Sequence, residues 1–236
     1  MKNPFDDEDV AARYDESTGP HFEPANIDAT ADFLARLVGD GAALELAVGT
    51  GRIALPLAQR GVRVHGIDLS PAMVAKLRGK PGAEAIEVTI GDYATSRVDA
   101  TFSLVFLVFN GINNQTTQDA QVATFESAAA HLEKDGYFVI EVGMPNTARL
   151  EVFDLSDTHV GVDELDFDTQ RLVSHHFALV DGRWVRASVP FRSVSPGELD
   201  LMARLAGMTL RERWSDWSCE PFTSDSTKHV SVWQKP

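Results

Sequence analysis

The sequence predicts an α/β domain built on a mostly parallel sheet with helices on both faces. Three observations carry this. Apolar runs of strand length alternate with stretches of helical spacing from Ala43 to Glu133. One run, Phe102–Phe109 (FSLVFLVF), is continuously apolar but for Ser103, as in a central parallel strand covered on both sides. Lastly, AALELAVGTGRIALP (residues 43–57) reads as a buried strand that meets a glycine turn and runs directly into a helix.

In chain order, Ile27, Ala31, Leu34, Leu37 and Val38 fall at helical spacing, and Gly39 stops the helix. Leu44, Leu46 and Val48 mark the first strand, and Arg52–Gln59 the helix after the turn. Val62–Asp68 is a second strand ending in an acid. Ser70 then caps a helix that has Pro71 at its first position and Ala72–Arg78 as its body. Ile86–Ile90 is a third strand, followed by Gly91-Asp92-Tyr93. The apolar run ends at Asn110-Gly111, and a helix over about Thr117–Glu133 leads into HLEKDGYFVIEV, the fifth strand. Near the end, Pro196–Ala206 is a helix with Leu199, Met202, Ala203 and Leu205 inward, ended by Gly207. Leu210–Trp217 and Val230–Trp233 read as two closing strands. Between these parts, Leu172–Val180 and Arg183–Phe191 form a hairpin through Asp181-Gly182, a type I′ signal.

Composition narrows the class. A chain of 236 residues, 44% apolar and 24% charged, suits one sizeable α/β domain with a modest addition. No apolar run reaches membrane-spanning length, so no membrane partner is expected, and MKNPFDDEDV has no signal-peptide core. The single cysteine, Cys219, permits no internal disulfide and fits a reducing, cytoplasmic setting. The 7 histidines show no zinc-ligand spacing with cysteine, so no metal is expected. A net charge of −14 without a basic cluster argues against nucleic acid as a partner.

The glycine turn carries the chemistry. Gly49 and Gly51 let backbone approach a ligand, and the helix that follows presents free N–H groups and a positive dipole end. GTGRIA also satisfies the dinucleotide pattern G-x-G-x-x-(G/A), and Asp68 could bind an adenosine ribose in either class of cofactor. Glu45, an acid near the end of the first strand, suits a ligand with a positive charge.

ELAVGTGR resembles the first motif of class I S-adenosylmethionine-dependent methyltransferases, roughly (Glu/Asp)-x-Gly-x-Gly-x-Gly, with Ala47 where the first glycine usually stands. GIDLSPAM, GDY and LEKDGYFVIEV resemble the later motifs in order and spacing, with Lys134-Asp135-Gly136 in place of Pro-Gly-Gly. The resemblance implies a Rossmann-like seven-stranded sheet plus the inserted hairpin, S-adenosyl-L-methionine as cofactor and S-adenosyl-L-homocysteine as product. It implies a cofactor site of Tyr14, Glu45, Ala47, Gly49, Gly51, Arg52, Asp68, Leu69, Met73, Asp92, Tyr93 and Phe109. The expected organisation is a lid over 1–24, a cofactor-binding core over 25–145, an inserted hairpin cover over 146–194, and closing elements over 195–236. Within the lid, Ala11–Phe22 is expected to close on the cofactor with Tyr14 touching it. Met73 can equally be ordinary helix–sheet core.

The expected activity is methyl transfer to an N or O acceptor on a small molecule. The alternatives are a methyltransferase-like binding protein without catalysis and a nicotinamide-dependent oxidoreductase. Asn110, Asn113 and Asn114 follow the fourth strand, where donor and acceptor meet, and could orient a substrate. The alternative for them is turn chemistry. A hydroxyl acceptor benefits from a general base, and His175 or His176 is the candidate. They lie on opposite faces of one strand, so at most one can face a pocket. The hairpin either walls that pocket or pairs with a second subunit in a homodimer.

Overall fold

A computed structural model describes residue 11, residues 14–16, 20–145 and 147–236. Much of the expected lid, including the acidic run Asp6–Asp9, lies outside the described residues. Two sheets are present among the described residues. The larger has seven strands: β1 (Ala42–Leu46), β2 (Arg63–Asp68), β3 (Glu87–Ile90), β4 (Phe102–Leu107), β5 (Leu132–Gly143), β10 (Thr209–Trp214) and β11 (Lys228–Gln234), in the order β10-β11-β5-β4-β1-β2-β3. Strands β1 to β5 run parallel to one another, and β11 is antiparallel to both β5 and β10.

Alternation along the parallel strands makes two cores. Leu44, Leu46, Val105, Leu107, Phe138 and Ile140 face helices α4 (Gln118–His131) and α5 (Pro196–Leu205). Ala43, Leu104, Phe106 and Val139 face the other layer, α1 (Pro24–Val38), α2 (Ala54–Gln59) and α3 (Pro71–Arg78). A strand buried on both sides is apolar along nearly its whole length, which is why FSLVFLVF reads as it does; its one polar residue, Ser103, donates to the Val38 carbonyl at 3.0 Å. Trp233 is fully buried against Phe125, with ring centroids 5.4 Å apart, and its indole N–H donates to Asp200 at 2.9 Å.

Local signals hold where a cap or turn is specified. Ser70 Oγ accepts from the Met73 amide at 3.2 Å, and Pro71 opens α3. Three details differ from the sequence expectation. Leu205 is 71% exposed, because the inward row of α5 is Leu199, Met202, Ala203 and then Ala206. Lys134-Asp135-Gly136 does not precede β5. It forms a bulge within it, where the register against β4 jumps and Asp135 takes a φ of 64°.

The third difference is the insertion. It is a four-stranded antiparallel sheet, β6-β7-β8-β9, rather than a hairpin alone. β8 (Arg171–Val180) and β9 (Arg183–Arg192) are the expected pair, and Asp181 and Gly182 have the positive φ values, 49° and 74°, of a type I′ turn. β6 (Leu150–Leu155) and β7 (His159–Asp166) extend it. Charged and apolar residues mix in these two strands without a clean alternation, so the sequence carries no strand signal there. A buried clamp fixes this sheet to the core. Arg192, at the end of β9, donates to Gln121 on α4, to Gln170 between β7 and β8, and to Glu198 on α5 at 2.7 Å. Glu198 also accepts from Gln118 and Gln170, each at 2.8 Å.

Candidate functional site

A cavity of about 470 Å³ opens at the C-terminal ends of β1, β2 and β4, within the size range of cofactor sites. The turn after β1 gives it Ala47–Thr50, the end of β2 gives Asp68 and Leu69, and α3 gives Met73. Asp92 and Tyr93 follow β3, and Val108 and Phe109 follow β4. Asn114, Gln115 and Thr116 stand on one side, Tyr14 on another, and Ser188, Val189 and Pro190 of β9 complete the wall.

The β1–α2 turn is built from left-handed residues. Ala47, Gly49 and Gly51 have φ values of 57°, 55° and 78°. For Ala47 that conformation carries strain, which explains why a glycine is usual there. Asp68 locks the turn from the neighbouring strand: Oδ2 accepts from the Gly49 amide at 2.7 Å and Oδ1 from the Ser70 amide at 2.8 Å. Gly51 does not line the cavity, and a Cβ there would collide with Leu77 of α3. Its role is close packing of helix on turn.

Glu45 is the main electrostatic feature. It is 3% exposed, lines the cavity, and has one carboxylate oxygen, Oε2, with no hydrogen-bond partner among the described residues. Burial pushes its pKa up to about 8. Arg52 pulls it down and Asp68 pushes it further up. Burial likewise raises the Tyr14 and Tyr93 phenols. The Tyr93 hydroxyl donates to the Gly111 carbonyl at 2.8 Å. Asp92 Oδ1 accepts from the Ala94 amide at 2.9 Å and from Gln115 at 3.1 Å.

The described N-terminal residues pack over this turn. Tyr14 meets Phe22 edge-on at 5.7 Å, Phe22 meets Phe109 at 5.7 Å, and His21 lies 4.6 Å from Phe109. Thr50 donates to Asp15 at 2.6 Å, and Lys80 pairs with the same carboxylate at 2.7 Å. Arg52 donates to the His21 carbonyl at 2.7 Å and sits over both the Phe22 and Phe109 rings. Residues 12, 13 and 17–19 of the expected Ala11–Phe22 closure lie outside the described residues.

Of the expected cofactor residues, the structure gathers Tyr14, Glu45, Ala47, Gly49, Arg52, Asp68, Leu69, Met73, Asp92, Tyr93 and Phe109 around this cavity. Of the substrate candidates it brings only Asn114 there. Asn110 does not line it: its Oδ1 accepts from the Gly143 amide at 2.7 Å and so ties the end of β4 to β5. Asn113 does not line it either.

The catalytic candidates are also displaced. His175 bonds Ser188 Oγ at 2.8 Å and approaches Glu164 at 3.4 Å. His176, on the opposite face, bonds His159 at 3.2 Å. Neither borders the cavity, because β9 stands between their strand and the opening.

Two features were missed by sequence reasoning. Glu141, 2% exposed, accepts from the Phe109 amide at 3.2 Å, the Trp217 indole at 3.1 Å and Lys228 at 3.3 Å. It thereby braces Phe109 in its left-handed φ of 54°. An acid inside an apolar strand was the available signal. The other is Ser188–Pro190, whose signal was a proline within a strand, a mark of a sheet edge.

Comparison with known proteins agrees with this geometry. A methyltransferase-domain family model matches residues 43–136. The CcbJ methyltransferase of Streptomyces caelestis is 34% identical, with 96% of each chain covered and a TM-score of 0.87. The chain belongs to the class I S-adenosylmethionine-dependent methyltransferases. The cypemycin N-terminal methyltransferase of a Streptomyces species is 26% identical over 203 residues, which is 81% of this chain and 82% of that protein. The structure of CalS10, an amino pentose methyltransferase of Micromonospora echinaspora solved with S-adenosylmethionine bound, shares the fold at TM-score 0.71 and 20% identity, with 100% of each chain covered. Membership sets aside the dinucleotide reading of Gly49–Ala54 and makes S-adenosylmethionine the cofactor of this methyltransferase. Among the described residues, no helix is long and apolar enough to cross a membrane.

Proposed function

We propose that this methyltransferase transfers the methyl group to an amine nitrogen of a small molecule. The observation that carries the reading is the lining of the cavity: among the described residues no histidine, lysine or cysteine borders it. A hydroxyl acceptor benefits from a general base, whereas an amine attacks through its own lone pair and needs no dedicated base. The cypemycin relative, named as an N-terminal methyltransferase, supports a nitrogen acceptor.

In this reading Glu45 takes the ammonium of the cofactor's amino-acid end, because a buried carboxylate oxygen without a partner is costly until a cation meets it. Asp68, at the end of β2, takes the ribose hydroxyls. Asp92 takes the adenine amino group. Ala47, Gly49, Arg52, Leu69, Met73, Tyr93 and Phe109 close around the ligand, and Tyr14 covers it. The cofactor supplies a methyl group activated by its sulfonium. The chain's own task is to align the acceptor and exclude water. The stacked Phe22, Phe109 and Arg52 perform the exclusion, while Asn114, Gln115 and Thr116 offer polar atoms on the acceptor side. Gly51, Asn110, Asn113, His175 and His176 act at a distance as packing or structural residues. The free Cys219 and the net charge of −14 support a cytoplasmic enzyme that takes no nucleic acid.

Two measurements test this. Calorimetric titration should show binding of S-adenosylhomocysteine and none of NAD. Turnover with matched amine and alcohol acceptors should then yield methylated amine. Methylation of alcohols alone would overturn the amine assignment, and tight S-adenosylhomocysteine binding without any turnover would overturn the transfer.

A further inference from the structure

β9 is an edge strand of the four-stranded sheet, and its free edge runs into the cavity. Which of its backbone groups face outward follows from the ladder. Val180 pairs with Arg183 across the two-residue turn, so Arg183 points its backbone groups toward β8, as do Val185, Ala187 and Val189. Trp184, Arg186, Ser188 and Pro190 therefore point theirs away. Two observations confirm this parity. Pro190 has no N–H to give the ladder, and the Arg192 carbonyl, in the same set, accepts from Gln121 on α4 at 3.2 Å. Among the described residues nothing bonds to the outward backbone groups of Arg186 or Ser188. Such an edge is a template for another strand.

We propose that the outer edge of β9, from Arg186 to Pro190, is an acceptor track on which a short peptide adds as an antiparallel strand and presents its terminal amine inside the cavity. The proposal rests on the amine reading above and narrows its substrate class. Antiparallel addition puts the peptide's N-terminus at Pro190, against the cavity, and its C-terminus toward Arg186 and Arg183, both exposed cations. Four residues at about 3.3 Å each span the distance from Pro190 to Arg186, the reach of a tetrapeptide whose carboxylate then meets that guanidinium. Pro190 can accept but cannot donate, so the added ladder stops at the cavity mouth, as suits a chain end. Transfer forms an N–CH3 bond from the amine lone pair and breaks the S–CH3 bond of the cofactor. The sulfonium becomes a thioether, and the new ammonium releases a proton to water.

Ser188→Pro removes the outward N–H and the hydroxyl and fixes φ at a position whose N–H is outside the β8 ladder, while Ser188→Ala removes the hydroxyl alone. The substrates are tetra-alanine and alanine amide, the second too short to reach the track. With tetra-alanine, kcat/KM should fall about tenfold in Ser188→Pro relative to Ser188→Ala, as for loss of one docking hydrogen bond. With alanine amide the two variants should agree within about twofold. Wild-type enzyme with tetra-alanine N-methylated at the amide nitrogen of its third residue gives the same answer without any variant: a loss of similar size is expected, because that N–H faces Ser188. Equal kcat/KM for the methylated and unmethylated peptides, or no peptide turnover while another amine is methylated, overturns the track and leaves the amine reading standing. Failure of every amine overturns both.

Discussion

The seven-stranded sheet and the four-stranded sheet handle apolar residues in opposite ways. In β1, β2, β4 and β5, leucine, isoleucine, valine and phenylalanine are fully buried between two helical layers. In the insertion, Leu150, Val152, Leu155, Trp184 and Val185 are exposed. The first sheet is stabilised by area removed from water on both faces. The second is held at its base by a few buried polar contacts around Arg192. Most of the cavity lining comes from the first sheet and the turns that follow its strands, and the second sheet adds Ser188, Val189 and Pro190.

Removing Arg192 should break that division most severely. In Arg192→Ala, Glu198 and Gln121 lose a buried cation, with an expected loss of about 3–5 kcal/mol. S-adenosylhomocysteine affinity should change far less than kcat. Thermal melting, calorimetry and turnover measure these together. A parallel loss of cofactor affinity would show that the two sheets are not independent.

Asp68→Ala acts on the rigid side. Each charge-assisted bond to a ribose hydroxyl contributes ~1.5–3 kcal/mol, so affinity for S-adenosylhomocysteine should fall at least tenfold. Because Asp68 also accepts from Gly49 and Ser70, the ligand-free protein should melt lower as well. Wild-type affinity in this variant would remove Asp68 from the ribose.

Glu45 sharpens the comparison through pH. Its folded pKa is about 8, above the ordinary carboxylate value, so below pH 8 the ligand-free protein holds a proton there. An ammonium needs the carboxylate, so affinity should weaken by up to about tenfold for each pH unit below 8. Ligand-free stability runs the other way. The folded state binds the extra proton between the unfolded and folded pKa values, so this contribution is full below the unfolded value and is lost as pH rises toward 8. Titrations between pH 6 and 8.5 on wild type and Glu45→Gln read both effects. A pH-independent wild-type affinity would reject the pairing.

The smallest effect belongs to Ala47→Gly. Releasing a left-handed alanine gains ~1–2 kcal/mol, and the greater freedom of unfolded glycine takes back ~0.4–1 kcal/mol. A net gain of about 0.5 kcal/mol is expected in chemical denaturation. A clear loss would show that the methyl group packs usefully.

The sequence by itself determined the parts whose signals are local. The β1 turn, the acid ending β2, the Ser70 cap and the Asp181-Gly182 hairpin are each set by neighbouring residues and by backbone preferences that do not depend on the rest of the chain. The order of motifs then determined the sheet and the cofactor, and with them eleven of the twelve expected cofactor positions at the cavity. Gly51 falls outside because a glycine needed for packing against Leu77 and one needed for a ligand look the same in sequence. Tertiary structure alone decided the contacts between distant segments. Glu141 reaches Phe109 across 32 positions and Arg192 reaches Gln121 across 71, and long-range pairs of this kind leave no local pattern. It also decided that His175 and His176 lie behind β9, because the pairing order of strands fixes which one borders a cavity, while the sequence of a strand fixes only which residues share its face.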